Sequence, residues 1–553
     1  MYLIFDTETT GLPRRWNAPL SDSDNWPRCV QIAWQLHDSN GEYLSHENYI
    51  IKPDGYDIPY DSEKIHGIST ALAENDGIDQ VDVLQNFEIA LKKAKFICGH
   101  NVSFDLNIVG AEFLRLGLQN LFEGFPIIDT CTEETASLCK IPGGRGGKFK
   151  LPTLIELNKF LFNENFDEAH NASADVEATT RCLFELIRNE SITPNAFNGD
   201  KSYYKKVQNN FQSSVKTIGL SHINLKEASE ALAKEEAPSD IEITSNDTKE
   251  ELLETPFIHL HVHSQFSILQ STSKIPMLVD AAHKNNMPAL ALTDKGNLMG
   301  AFHFIKAIKN HNNLEEDKTK EIKPIIGCEF YVCDDHKDKT RRDDGYQVVF
   351  LAKNKNGYHN LSKMSSLAYT SGFYYVPRID KNIVKQFKED LIVLTGNLYG
   401  EVPSKILNIG ERQAEEALLW WKNEFESDLY IELIRHNQED EKRVNKGLIG
   451  LSVKHKISIV ASNNTYYTKQ EDANAHDILL CLKDGEKQTT PIGKGRGFRY
   501  GLPNQEYYFK SQEQMKEIFM DLPEAIFSCS EINSKISSFD LSNEVVLPKF
   551  EIP

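Results

Sequence analysis

Met1-Tyr-Leu-Ile-Phe-Asp6-Thr-Glu8-Thr-Thr-Gly11-Leu12 opens the chain with an apolar run that delivers two carboxylates and then turns. Side chains alternate faces along a strand, so Asp6 and Glu8 point the same way. Tyr2, Leu3, Ile4 and Phe5 are apolar on both faces, the pattern of a strand covered on both sides. Two like charges held together repel unless a cation sits between them, and hard oxygen donors suit Mg²⁺ or Mn²⁺.

A lone acidic pair at a strand end is an ordinary feature, so its company decides the reading. Gly99-His100-Asn101-Val102-Ser103-Phe104-Asp105 brings a third carboxylate after the apolar Phe96-Ile97-Cys98. His170-Asn-Ala-Ser-Ala-Asp175 opens a segment in which Val176, Thr180, Leu183 and Ile187 recur at helical spacing. That spacing predicts a helix with Asp175 in its first turn and His170 on the loop before it. Taken singly, Asp105 reads as a helix cap and His170 as a surface loop residue; together they read as a site. Thr9, Thr10 and Gly11 shape a turn that lets backbone approach a substrate, and Leu12 or Phe104 can wedge against it. His100 and Asn101 join them as candidate substrate contacts, while Asp129, after Pro126-Ile-Ile128, reads as structural.

These motifs, DTETTG, HNxSFD and HxAxxD, resemble those of the DEDDh exonucleases, the family of the proofreading epsilon subunit of bacterial DNA polymerase III. The resemblance covers about the first 190 residues and implies a ribonuclease-H-like fold, a mixed sheet flanked by helices. The chemistry also stands without the family. In-line attack of water on a phosphodiester builds charge on the entering and leaving oxygens, and two ions about 4 Å apart stabilise both ends. Asp6, Glu8, Asp105 and Asp175 supply the charge to hold two Mg²⁺ or Mn²⁺ ions, and His170 titrates near neutrality and suits the general base.

At 553 residues the chain exceeds the roughly 250 to 300 residues at which single cores stop growing, so more than one domain is expected. Nine cysteines without a C-x-x-C pair argue against a disulfide framework or zinc ribbon and favour a reducing cytoplasm. No signal peptide and no membrane-length apolar run is read. A formal charge of −20 opposes coating of DNA by this chain alone, so a more basic partner is expected to bring the substrate in. Two Gly-and-cation stretches, around Arg145 and Lys148 and around Lys494, Arg496 and Arg499, are the local exceptions; solvated loops are the commoner explanation for such stretches.

Residues 1–190 read as the exonuclease domain and 191–255 as an acidic, largely flexible linker, with Tyr203-Tyr204 and Val215-Lys-Thr-Ile218 able to dock on either neighbour. From Phe257-Ile-His259-Leu-His261-Val-His263, apolar segments alternate with helical ones, which predicts parallel strands in an open sheet or barrel, with any site at the strands' carboxyl ends. The stretches ALTDxGNLxGA, PIIGCEFYV, NGYHNLxKMSS and EDANAHDILLCL are similar to the polymerase-and-histidinol-phosphatase (PHP) domain of the alpha subunit of bacterial DNA polymerase III, a C-family replicative polymerase. That resemblance implies a distorted (β/α)₇ barrel over 256–485, with 486–553 ending the PHP region and leading toward a polymerase palm that is absent.

Working PHP sites bind metal through His, Asp, Glu and sometimes Cys, and of that set His261, His263 and Glu329 match. Elsewhere the resemblance fails at Gln270, Lys295 (in Thr293-Asp294-Lys295), Gln347, Asn397, Asn464 and Tyr466. Amides are poor ligands and an ammonium has the metal's own sign, so no PHP metal is expected; Lys295 is expected to neutralise Glu329 or Asp294. The combined reading is a 3′ to 5′ proofreading DNA exonuclease joined to a degenerate PHP domain. Its expected partners are a single-stranded primer 3′ end, a polymerase module and replisome subunits such as the sliding clamp, with no membrane. The rival readings are an RNA-trimming 3′ exonuclease and a non-catalytic replisome scaffold.

Overall fold

The computed structural model describes residues 1–143, 148–164, 170–235, 246–493 and 497–542. The chain divides into two compact units, the first ending at Asp240.

The first unit is built on five strands: β1 (Tyr2–Thr9), β2 (Cys29–His37), β3 (Tyr43–Ile50), β4 (Phe96–Gly99) and β5 (Ile127–Asp129). Their order is β3-β2-β1-β4-β5; β2 runs antiparallel to β1 and β3, and β4 parallel to β1 and β5. This is the expected ribonuclease-H-like arrangement, with β1 in the middle. Leu3 and Phe5 enter one core with Trp34 and Phe87, whereas Tyr2 and Ile4 enter another with Phe96 and Leu183. Burial on both faces explains the unbroken apolar run, and it leaves the carboxylates only the strand's far end. Helix Ala172–Arg188 begins at Asn171, whose side chain accepts from the Ser173 amide.

The first part of the expected linker is folded. Helix Lys201–Asn210 buries Tyr204 and Val207 in the core that holds Tyr2, and Val215 joins them. Helix Leu225–Glu235 sets Leu225 against Ile68 and Leu72, and Ser229 Oγ donates to the Gly67 carbonyl at 2.7 Å. Gly67 has φ +77°, and a Cβ there would meet the Lys226 backbone at 2.7 Å, so the close approach requires glycine. These apolar residues are too sparse for periodicity to register, yet each finds a place in an existing core.

The second unit holds β6 (Ala289–Leu292), β7 (Lys323–Cys333), β8 (Tyr346–Ala352), β9 (Arg378–Asp380), β10 (Leu391–Leu394), β11 (Leu429–Ile434) and β12 (Ile459–Ser462), in the order β12-β11-β10-β8-β7-β6 with β9 on β7. The segment around 257–263, expected as a strand, is irregular and pairs only by a bridge at Val262. It nevertheless closes the ring: the Ala291 and Thr293 amides donate to the His259 and Val262 carbonyls, and the Thr465 amide donates to His261. With it the ring has the seven members of the expected PHP barrel. One expectation fails: β8 is antiparallel to β7 and β10. No helix lies between β7 and β8, and without a crossover only the antiparallel return is open.

The proposed boundary at 485 is not a fold boundary. His259 Nε2 is 2.9 Å from the Lys510 carbonyl, the Phe257 amide donates to Gln512 Oε1 at 2.7 Å, and helix Glu524–Lys535 brings Cys529 Sγ to the Ala461 carbonyl. Residues 543–553, read as leading toward a palm, lie outside the described residues. Among the described residues no helix is long and apolar enough to cross a membrane.

Candidate active site

Asp6 and Glu8 leave β1 where its two-sided burial ends, and one donor oxygen from each lies within 4.8 Å of one another and of one on Asp175. Asp105 stands beside this group without being one of the three. Its Oδ1 accepts from the Thr7 amide at 3.0 Å and the Thr7 hydroxyl at 2.6 Å, which fixes the start of helix Ser103–Arg115 against β1. Thr7, the residue between the two strand carboxylates, was not singled out in the sequence; its partner lies 98 positions away.

All four carboxyls resist ionisation. Burial, reinforced by Asp105, Asp175 and Glu8, holds Asp6 well above its usual range, and burial with Asp175 and Asp105 does the same to Glu8. Burial pushes Asp105 up to about 7 against the opposing Thr7 hydrogen bonds, and Asp175 up to about 7 against the amide of His170. The charges acting on Asp6 and Glu8 come from other carboxylates alone. Such a set fits divalent cations: close, oxygen-rich and, among the described residues, without a paired Lys or Arg.

His170 has φ +72°, a left-handed conformation uncommon for a side-chain-bearing residue, and its amide donates to Asp175 Oδ2 at 3.0 Å. The strained turn thus ties the imidazole to the carboxylate five residues on. Burial of part of the ring lowers its pKa, which keeps it neutral and able to accept a proton at neutral pH.

The remaining candidates divide. Gly11 has φ +144° and open space where a Cβ would stand, Leu12 is 73% exposed, and Thr9 Oγ1 donates to the Gly11 carbonyl at 2.7 Å. Thr10 Oγ1 accepts from the Arg28 amide, which ties the turn to β2's entry. Phe104 packs against Trp16, a 60% exposed ring that adds an apolar surface the sequence reading missed. His100 is held at both ring nitrogens, by Thr130 Oγ1 and the Pro152 carbonyl, so it braces the loop. Asn101 has φ +60°; its amide, with those of Val102 and Cys131, donates to Asp129, a structural carboxylate. His66, also missed, is buried beside the Thr9 backbone and close enough to His170 to feel its charge.

The second cluster lies at the barrel mouth, where His261, His263 and Glu329 bring one donor atom each within 4.8 Å. Glu329 Oε2 is 3.1 Å from Nε2 of both histidines, and His261 Nδ1 is 2.8 Å from Glu432, a partner the sequence reading did not identify. Lys295 Nζ lies 3.5 Å from Glu329 Oε1 and 3.3 Å from Gln347 Oε1, and it faces the Tyr466 ring. Of its two expected partners Lys295 takes Glu329; Asp294 is satisfied by the Ser264 amide and by Ser264 and Ser267 hydroxyls. Burial would lower His261, but Glu432 and Glu329 override it and raise it to about 9, while burial lowers His263 to about 4. Burial opposes the charge on Glu329, yet Lys295 and the histidines hold it well below its usual range. Asn397 Nδ2 donates to Gln347, and Asn464 Oδ1 stands 3.0 Å from His263, so amides and an ammonium line the cluster. Gln270 supplies its backbone carbonyl to His476 Nε2 at 2.9 Å.

Two of the cations in the basic stretches are paired. Arg499 is 5% exposed and pairs with Asp477 at 2.7 Å, and Lys148 pairs with Glu133 at 3.1 Å; Arg145, Lys494 and Arg496 lie outside the described residues.

Residues 3–183 match the Exonuclease family model and residues 259–436 the PHP domain model. The chain joins an exonuclease domain to a PHP domain. Over 302 residues the chain is similar to DNA polymerase III subunit alpha of Borreliella burgdorferi, 39% identical across 54% of this chain and 25% of that protein. The corresponding subunit of Campylobacter jejuni is 36% identical over 291 residues, 50% of this chain and 23% of the relative. The matched chain thus spans about a quarter of the length of these curated relatives. Among solved structures, an Exonuclease I from Methylocaldum szegediense matches 36% of this chain and 42% of its own, at 21% identity and a TM-score of 0.27.

Proposed function

We propose that the exonuclease domain removes nucleotides from the 3′ end of DNA, as a proofreading activity attached to a replicative polymerase of the DNA polymerase III alpha type. The observation that carries this reading is the convergence of Asp6, Glu8 and Asp175, with Asp105 beside them and, among the described residues, no Lys or Arg paired to them. When bound, two Mg²⁺ or Mn²⁺ ions would supply charge stabilisation at the attacking and leaving oxygens. Asp6, Glu8, Asp105 and Asp175 would hold them. His170, neutral at pH 7 and anchored to Asp175 through its amide, takes a proton from the attacking water. The open Gly11 backbone admits the terminal nucleotide, and Leu12, Trp16 and Phe104 offer apolar surface to its base.

At the barrel mouth we infer a structural site in which Lys295 and His261 do the work of a cation, so that the PHP domain serves to brace and to dock partners. The test is digestion of matched DNA and RNA oligonucleotides, labelled at the 5′ end, with Mg²⁺, with chelator, and with Asp6→Ala. Stepwise 3′ shortening of DNA that needs both Mg²⁺ and Asp6 supports the proposal. Faster loss of RNA favours the trimming reading, and equal digestion by Asp6→Ala overturns the site.

A further inference from the structure

We propose that His283, His311 and Glu315 form a zinc site at the foot of the PHP barrel, separate from the cluster at its mouth. His283 ends helix Ile275–Lys284, and His311 lies in the last turn of helix Ala301–Leu314, one helical turn before Glu315. These helices run back toward the starts of β6 and β7, so the three residues stand at the opposite end of the barrel from Lys295. One donor atom from each lies within 4.8 Å of the other two.

Three further observations point to a cation. First, His283 Nε2 and Glu315 Oε2 are 3.6 Å apart, beyond a good hydrogen bond. Donors about 2.1 Å from a tetrahedral zinc stand roughly 3.4 Å apart, so this gap is the edge of a coordination tetrahedron. Second, His311 Nε2 is shielded from solvent and has no hydrogen-bond partner, and its ring packs edge to face with that of His283 at 4.4 Å. A buried donor or acceptor left unsatisfied is costly, and in a cluster of imidazoles a metal removes that cost. Third, the carboxylate is already oriented: Glu315 Oε1 accepts from the Asp317 amide at 3.0 Å, which leaves Oε2 toward His283. The helix end that carries it is pinned by a reciprocal pair, Asn312 Nδ2 to the Ile322 carbonyl and the Ile322 amide to Asn312 Oδ1. This is the outer support that metal ligands use. Two imidazoles and one carboxylate are a borderline donor set that suits Zn²⁺ over Mg²⁺, with a fourth position left for water or an external ligand.

Cobalt(II) titration of the full chain separates this site from the others, because tetrahedral nitrogen-containing sites absorb visible light far more strongly than octahedral oxygen sites such as the exonuclease carboxylates. The expected result is an intense band at one equivalent, displaced by Zn²⁺. It should be weakened roughly tenfold or more in apparent affinity by His283→Gln, His311→Asn or Glu315→Gln, a loss at least equal to that from removing a supporting group. His261→Gln should leave the band in place. Zinc should also raise the thermal midpoint of the wild-type chain and not that of His311→Asn, a readout that holds if His283→Gln proves misfolded. An absent band, or one that survives His311→Asn and disappears with His261→Gln, overturns the proposal.

Discussion

The amino-terminal carboxylates and the barrel-mouth cluster face the same electrostatic problem and solve it in opposite ways. Asp6, Glu8, Asp105 and Asp175 gather acids with no Lys or Arg paired to them among the described residues, and their pKa values rise. At the barrel mouth Glu329 and Glu432 meet Lys295 and His261, and Glu329 is instead driven down. One cluster is left to recruit cations from solution, and the other carries its own. A difference in a few side chains therefore separates a cluster whose carboxyls resist ionisation from one in which Glu329 is held ionised.

The largest effect that can break this contrast is on hydrolysis. Asp6→Ala or Asp175→Ala should reduce 3′ digestion to background, because the remaining carboxylates cannot gather the ions. His170→Ala should slow it by roughly 10² to 10⁴ while leaving Mn²⁺ binding in place, since it removes a proton acceptor and no ligand. Digestion rates and calorimetric Mn²⁺ titration measure the two parts. Loss of Mn²⁺ binding in His170→Ala would make the imidazole a structural or metal-holding group.

Next in size is the internal cation. Lys295→Met leaves Glu329 buried without its ammonium and should cost about 3 to 5 kcal/mol in the PHP domain, read by denaturant unfolding. Exonuclease rates should not change. If Lys295→Met unfolds like wild type, Lys295 is not what holds the mouth together.

The pH dependence has the same sign in the two places but falls in different windows. Asp105 and Asp175 rise from 3.8 to about 7 on folding, so their contribution to the stability of the ion-free exonuclease domain is full below 3.8 and is lost as pH climbs through 7. His261 rises from 6.5 to about 9, so its contribution is full below 6.5 and lost as pH passes 9. Scanning calorimetry across this range, with and without Mg²⁺, should show Mg²⁺ stabilising most near and above neutrality. A Mg²⁺ effect that does not grow with pH would mean that the acids are not its binding site.

Local pattern carried much of this. The two-sided burial of β1, the helix-start position of Asp175 and the structural character of Asp129 follow from runs of four to seven residues; that Lys295 meets Glu329 or Asp294 follows from its place in the PHP-like pattern, and the structure chooses Glu329. What escaped depends on distant parts of the chain. Thr7 matters because Asp105 returns to it 98 residues on, and Glu432 matters because β11 brings it to His261 across 171. Polarity reversal at β8 escaped because strand patterning is the same in either direction. Composition misled most where the chain folds with few apolar residues, between 194 and 235.

That stretch gives the smallest and most local test. His222 Nδ1 lies 2.9 Å from Ser173 Oγ and its Nε2 3.2 Å from Glu177 Oε2, while the Gly219 and Leu220 amides donate to Glu177 and Asn171 Nδ2 donates to the Ile223 carbonyl. A strap read as tether therefore clasps the first turns of the helix that carries Asp175. His222→Ala removes two of these bonds from a largely buried setting, so a loss of about 1 to 3 kcal/mol is expected. Because Asp175 keeps its Asn171-capped turn, hydrolysis should fall less than about tenfold, a shift of under 1.4 kcal/mol in the barrier. His222→Gln, which keeps a donor and an acceptor, should recover part of both. If His222→Ala leaves stability and rate untouched, the strap rests on the domain without bracing it, and only the helices on either side belong to the exonuclease fold.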